Sequence, residues 1–188
     1  MKNTLLTLTA LVLFIASGCK NNTALDEGAA EELVATYLKS NPQYETAKID
    51  VGEIKFKSRN DKAQLEKYKG LEEKGLIEMT LQDQKKKFLS KDSTYFYMVS
   101  LTDKSKPYIL KQDERHVTVK AVNYELDEEK PVSLLQSDSR IAKVTVSLKK
   151  VKNDFAVFLK NKGTASNFIT KTYKVKFKKE TGWILVGE

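Results

Sequence analysis

The sequence predicts an α+β protein, with a small helix-rich first part followed by an antiparallel β-sheet. Two helical patterns and one strand pattern carry that expectation. Ala30, Leu33, Val34, Tyr37 and Leu38 recur on one helical face, and Leu65, Tyr68 and Leu71 repeat the spacing. From His116 onward the chain turns to long alternating runs. The strictest is Tyr173-Lys174-Val175-Lys176-Phe177-Lys178, where aromatic and valine side chains point one way and three lysines the other. The parts expected are a cleaved leader over 1–18, a tether over 19–25, an α+β subdomain over 26–112 and an antiparallel β subdomain over 113–188.

The leader begins with Lys2, continues through an apolar run from Leu5 to Ala16, and ends with Ala16-Ser17-Gly18 directly before Cys19, the only cysteine. A positive start, a short apolar core and small residues at its end are the parts of a secretory signal peptide. With cysteine at the cleavage point, the stretch resembles the precursor of a bacterial lipoprotein. That resemblance implies a diacylglyceryl group on Cys19, cleavage after Gly18 and a further acyl chain, such as palmitate, on the new amino terminus. Burial is worth about 0.8 kcal/mol per CH₂, so two chains anchor stably where one does not. The apolar run is shorter than the roughly 20 residues a membrane span needs. Lys20 stands where an aspartate signals inner-membrane retention in some Gram-negative families, so the resemblance favours the outer membrane in an organism that has one.

Removing the leader leaves 170 residues, enough for one domain or two small ones. With Cys19 lipidated, no cysteine is left for a disulfide, a zinc–thiolate site or a thiol nucleophile. No cofactor-binding motif is present. The formal charge of +8 is basic enough to raise the question of nucleic acid. An exported, anchored protein meets little nucleic acid, so anionic lipid headgroups or acidic envelope polysaccharide fit the charge better.

Along the chain, Lys20 to Leu25 is a short tether that reaches only about 20 Å when extended. The first helix is expected from Asp26 to Lys39, with acids at its start and Ser40-Asn41-Pro42 as its stop. Lys48 to Lys57 alternates with a slip near Gly52 and reads as a strand. Asn60-Asp61 can cap a second helix, with Gly75 at its C′ position. Ile77, Met79 and Leu81 alternate in a strand, Gln84 to Asp92 reads as an exposed connection, and Tyr95 to Leu101 as the returning strand. Further strands are expected over 116–126, 142–152, 155–160, 169–179 and 183–186, with an acidic loop over 127–136 and a turn at Asn153-Asp154.

The run YKGLEEKGLIEM followed by YFYMVSLTDKSKPYIL resembles the final helix and wing of winged-helix regulators. It covers 61–110 and implies a winged-helix-like packing unit, without DNA binding in an exported chain. VTVSLKKVKNDFAVFLK and TKTYKVKFKKETGWIL resemble the terminal sheet of small envelope lipoproteins and, more distantly, cystatin- or NTF2-like sheets. That resemblance implies a fold and a compartment, and no activity.

Candidate chemistry is sparse. His116 as a general base needs an oriented carboxylate and a nucleophile, and only Asp113 and Glu114 lie near it in sequence. Asp127-Glu128-Glu129 offers carboxylates for calcium but lacks the alternating ligands and turn glycine of a calcium loop, and Lys130 follows directly. No metal ligands are therefore assigned. Nothing nominates a glycosidase-like carboxylate pair. Asp92-Ser93-Thr94 matches a three-residue O-glycosylation pattern of some Bacteroidetes, with Ser93 as acceptor on a loop expected to be exposed. From Arg140 to Glu188 there are twelve Lys or Arg against three Asp or Glu. Lys174, Lys176 and Lys178 form the candidate contact with an anionic surface, against the plainer reading that they protect a sheet edge. The function expected is a non-enzymatic binding or assembly module anchored in the envelope; the alternative is an envelope hydrolase whose site is not readable from sequence.

Overall fold

Asp26 opens the first helix: its carboxylate accepts the Ala29 backbone N–H at 2.7 Å, and α1 runs Glu27–Ser40. In the computed structural model, which describes residues 24–86, 92–160 and 166–188, this helix is followed by ten strands and one more α-helix. The strands are β1 (Gln43–Asp50), β2 (Gly52–Lys57), β3 (Ile77–Lys86), β4 (Ser93–Leu101), β5 (Ile109–Gln112), β6 (His116–Leu126), β7 (Ser133–Asp138), β8 (Ile141–Lys152), β9 (Phe168–Lys178) and β10 (Gly182–Gly187). The second helix, α2, is Lys62–Glu73, and short 3₁₀ turns occupy Asp103–Tyr108 and Asp154–Phe158.

The strands form two antiparallel sheets. The larger has the order β1-β6-β8-β9-β10, with β5 added beside β6 and β7 beside β8; the smaller is β2-β4-β3. The chain passes from one sheet to the other at Gly52, whose φ of +80° is a conformation L side chains rarely adopt. The slip read near Gly52 is therefore a change of sheet. Tyr68 of α2 locks this corner: its hydroxyl accepts the Asp50 N–H at 2.9 Å and donates to the Asp50 carbonyl at 3.0 Å.

α2 ends as its sequence predicts. Gly75, at φ +68°, donates to the Glu72 carbonyl at 2.7 Å, and the Leu76 N–H reaches the Leu71 carbonyl at 3.0 Å. This is a Schellman closure, with Leu71 and Leu76 buried together behind it.

Two cores result. The first gathers Phe56, Tyr68, Leu71, Ile77 and Val99 from α2 and the small sheet with Ile49, Val117, Val119 and Phe155 from the large-sheet side. The second places Ala30, Val34 and Leu38 of α1 against Val144, Val146, Leu148, Tyr173 and Val175. β6 serves both through a bulge. In its pairing with β1, Glu45 opposes Val122 and Thr46 opposes Lys120, so Ala121 is the extra residue. Val117, Val119 and Ala121 face inward before the bulge, and Val122, Tyr124 and Leu126 after it. The large sheet curls until Gln43 of β1 reaches the far strands: its Nε2 donates to the Tyr173 hydroxyl at 3.2 Å and to the Glu188 carboxylate.

The helix-rich, winged-helix-like α+β expectation is overturned. Among the described residues 54% lie in strands and 24% in helices, and the molecule is mostly β with a curled antiparallel sheet. The reason is tertiary. Residues 43–47 pair with β6 as a strand, α1 packs on the large sheet away from the α2 core, and β4 takes β2 as a second partner beside β3. A helix followed by a hairpin does occur at α2–β3–β4, but it closes a sheet layer. β1 and β5, from the expected first part, pair with β6 from the second.

Three smaller expectations also change. The exposed connection over 84–92 is strand as far as Lys86, and residues 87–91 lie outside the described residues. Residues 133–136, expected at the end of an acidic loop, belong to β7 and pair with β8. Residues 155–160, expected as a strand, begin as a 3₁₀ turn that Asn153 caps by accepting the Phe155 N–H at 3.0 Å.

Candidate functional site

β9 and β8 place the basic residues. Tyr173 and Val175 are wholly buried beneath the sheet, which leaves Lys174, Lys176 and Lys178 exposed on the opposite, outer face. The apolar–lysine alternation read from the sequence is what sets this. Antiparallel partners project to the same face, so the register identifies the neighbours. Lys143 of β8 stands opposite Lys174, and Leu135 of β7 opposite Lys143. One row along, Ile141 and Ile184 flank Lys176 from β8 and β10. The next row inward is neutral, with Thr145 and Thr172 hydroxyls 2.9 Å apart. Leu135 is 64% exposed. The surface is thus four lysines set among aliphatic side chains.

Its charge is mostly positive: the register sets one carboxylate, Asp138 of β7, opposite Ile141, where it accepts the Arg140 and Ile141 backbone N–H groups at 2.7 and 2.8 Å. Among the described residues none of Lys143, Lys174, Lys176 and Lys178 takes part in an ion pair, although eight ion pairs form elsewhere. Lys171, on the inward side of β9, is by contrast held by both Glu188 oxygens at 2.9 and 2.8 Å. Spacing along the strand is about 7 Å between alternate residues, inside the roughly 8 Å screening length at physiological salt. The four charges therefore act on an approaching anion together. Lys143 is the residue the sequence reading missed; only the β8–β9 register brings it beside Lys174.

The other candidates separate. His116 Nε2 lies 3.4 Å from Asp50 and its Nδ1 3.3 Å from Asp113. The Asp113 carboxyl also accepts the Arg115 and His116 backbone N–H groups, which hold it below the ordinary carboxylate range. The arrangement closes the β5–β6 turn, and among the described residues no hydroxyl bonds to the imidazole. Asp127 is buried, and its carboxylate faces Lys130 at 3.8 Å; that ammonium lies 3.7 Å from the Phe168 ring centre. Among the described residues no group of three potential metal ligands forms. Ser93 is not on an open loop: it begins β4, is buried, and its backbone N–H donates to Ser58 Oγ at 3.0 Å. Cys19 and the leader lie outside the described residues.

No family model, curated protein or solved structure matches this chain. The site therefore rests on its own geometry.

One half-buried polar cluster links β1, β6 and β8. Tyr124 donates to Glu45, and Lys150, with a side chain only 9% exposed, approaches Glu45 at 3.4 Å. The Tyr124 hydrogen bond and the Lys150 charge pull the Glu45 carboxyl below its ordinary value, while burial and the facing carboxylate push the Tyr124 hydroxyl up to about 12. Glu45 also lines an open cleft of about 390 Å³, together with Lys48, Thr118 and Phe158.

Proposed function

We propose that the chain is a membrane-anchored envelope lipoprotein, non-enzymatic in its action, that lays the outer face of β8 and β9 against an anionic surface. One observation carries the reading: Lys143, Lys174, Lys176 and Lys178 share one face, without an ion pair among the described residues and with Leu135, Ile141 and Ile184 beside them. Lysine stems over aliphatic side chains suit a headgroup layer, where the ammonium meets phosphate and the apolar atoms leave water. The leader that resembles a lipoprotein precursor supplies the compartment, and a tether of about 20 Å keeps the face within reach. Outer-membrane residence follows from Lys20 by the same resemblance.

Co-sedimentation of the form lacking residues 1–19 with vesicles tests it. Binding to vesicles containing anionic lipid is expected, weakening as salt is raised, and Lys→Glu at 174, 176 and 178 abolishes it. Equal binding to neutral and anionic vesicles, or no change in the triple variant, overturns the reading in favour of edge protection.

A further inference from the structure

A second basic surface lies on the small sheet. The end of β2, the turn before α2 and the start of β4 enclose a cleft of about 380 Å³, lined by Lys55, Lys57, Ser58, Arg59, Asn60, by Asp92 just before β4, and by Ser93 and Thr94 of β4. Its walls hold three cations, four neutral hydrogen-bonding side chains and one carboxylate, with no apolar side chain among them. Asp92 is itself engaged within the protein. Lys55, Lys57 and Arg59 have no ion pair among the described residues; Lys55 rests only against the Phe96 ring, 5.7 Å from its centre.

Backbone hydrogen bonds pre-build the cleft. Ser58 N–H donates to the Ser93 carbonyl at 2.8 Å, and the Ser93 N–H returns to Ser58 Oγ at 3.0 Å. Across the turn, Asp61 turns its carboxylate back to the Lys57 N–H at 2.8 Å, and its own N–H donates to the Lys57 carbonyl at 2.9 Å. The register sets Lys57 opposite Thr94. A corner fixed at both walls loses little freedom when it takes up a ligand.

We propose that this cleft binds an acidic sugar, one bearing a phosphate or a carboxylate on a hydroxyl-rich body. The three cations select the anion, and the Arg59 guanidinium can grip two of its oxygens at once. Ser58, Asn60 and Thr94 offer donors and acceptors to hydroxyls, and the absence of an apolar side chain from the lining leaves nothing for an acyl chain. A volume of about 380 Å³ accommodates one or two sugar rings. The site is independent of the β8–β9 face, which lies on the other sheet.

Calorimetric titration of the full chain, in an uncharged polyoxyethylene detergent, decides the matter with three probes: glucose 6-phosphate, galacturonate and glucose. Saturable binding of at least one of the acidic sugars is expected, with none of glucose, and the stronger of the two names the anion. Lys57→Gln with Arg59→Gln, both on exposed positions, weakens binding by about tenfold or more, the loss of charge-assisted hydrogen bonds. Lys→Gln at 174, 176 and 178 leaves it unchanged. The proposal is overturned by no saturable binding, by equal affinity for glucose, by affinity that survives the double variant, or by loss in the triple variant.

Discussion

Lys143 and Lys174 stand directly opposite each other on β8 and β9, two like charges in cross-strand register without an ion pair to either among the described residues. Such a pair destabilises a sheet by roughly 0.2–1 kcal/mol relative to neutral partners. Two rows away the same strands use Ser147 opposite Thr170, and between them Thr145 opposite Thr172, so a neutral solution fits this backbone. Lys143→Thr is expected to raise unfolding stability by up to about 1 kcal/mol while weakening binding to anionic vesicles. Urea unfolding and co-sedimentation, measured on the same variant, check both halves. A variant that binds as well as the parent removes Lys143 from the face.

Gly52 is where the chain leaves one sheet for the other. A Cβ there meets only the Glu114 carbonyl oxygen, at 3.6 Å, an ordinary contact, so the cost of substitution is conformational. Gly52→Ala is expected to destabilise by about 1–2 kcal/mol, the penalty for a left-handed L residue. Gly70, in the middle of α2 with open space around its Cβ position, makes the opposite control: Gly70→Ala should stabilise by about 0.5–1 kcal/mol. Equal effects of the two would contradict the geometry assigned to Gly52.

These glycines show what was legible in the sequence and what was not. Local signals read correctly: the acidic start of the first helix, the Gly75 closure and the lysine alternation on β9 each depend on residues within one turn or one strand. Partner choice did not, because a slip at Gly52 looks the same whether a strand bulges or changes sheet. Phe155 and Phe158 misled in a different way. They suggest a strand, yet both pack on the first core, and residues three apart share a side on a 3₁₀ turn, not on a strand of period two. A phase slip was present in Val117-Thr118-Val119-Lys120-Ala121-Val122-Asn123-Tyr124, where inward positions pass from odd to even, and it is the sequence mark of the bulge. The cleft residues at 55–60 and 92–94 carried no joint signal, since only the β2–β4 register brings them together.

Acid sensitivity should centre on Glu45. Its folded carboxyl titrates below the ordinary value of 4.5, first because Tyr124 donates to it and then because of the Lys150 charge. Below that value the unfolded chain takes up protons that the native carboxylate refuses, so stability falls as pH drops toward the folded value and is complete above it. Glu188, held by Lys171, and Asp113, held by backbone N–H groups, act in the same direction. Glu45→Gln should flatten the decline that sets in as pH falls below the ordinary value of 4.5. Urea midpoints measured through that decline decide it; a slope identical to the parent's would remove Glu45 as a contributor.

Anchoring is tested at Cys19. The mature chain is expected to begin there, with a mass that exceeds the cleaved polypeptide by its acyl groups, and to partition into detergent. Cys19→Ala should abolish both the added mass and the partitioning. A parent protein without added mass would end the lipoprotein reading, whatever the sheet face binds.

Trp183 tests the register on which the basic face depends. It pairs with Phe177 across β9 and β10, the rings meeting edge to face at 5.7 Å, and it packs from the rim against the α1 core. It is only partly buried, so Trp183→Ala is expected to cost about 2–3 kcal/mol, below the roughly 3–5 of a fully enclosed aromatic. Trp183→Phe keeps an aromatic pair and should lose less than half of that. The same register puts Ile184 on the lysine face, where Ile184→Thr should leave stability within about 0.5 kcal/mol and lower vesicle binding. If Ile184→Thr proves costlier than Trp183→Ala, β10 is turned over, and Lys174, Lys176 and Lys178 lose the neighbours that make their face a site.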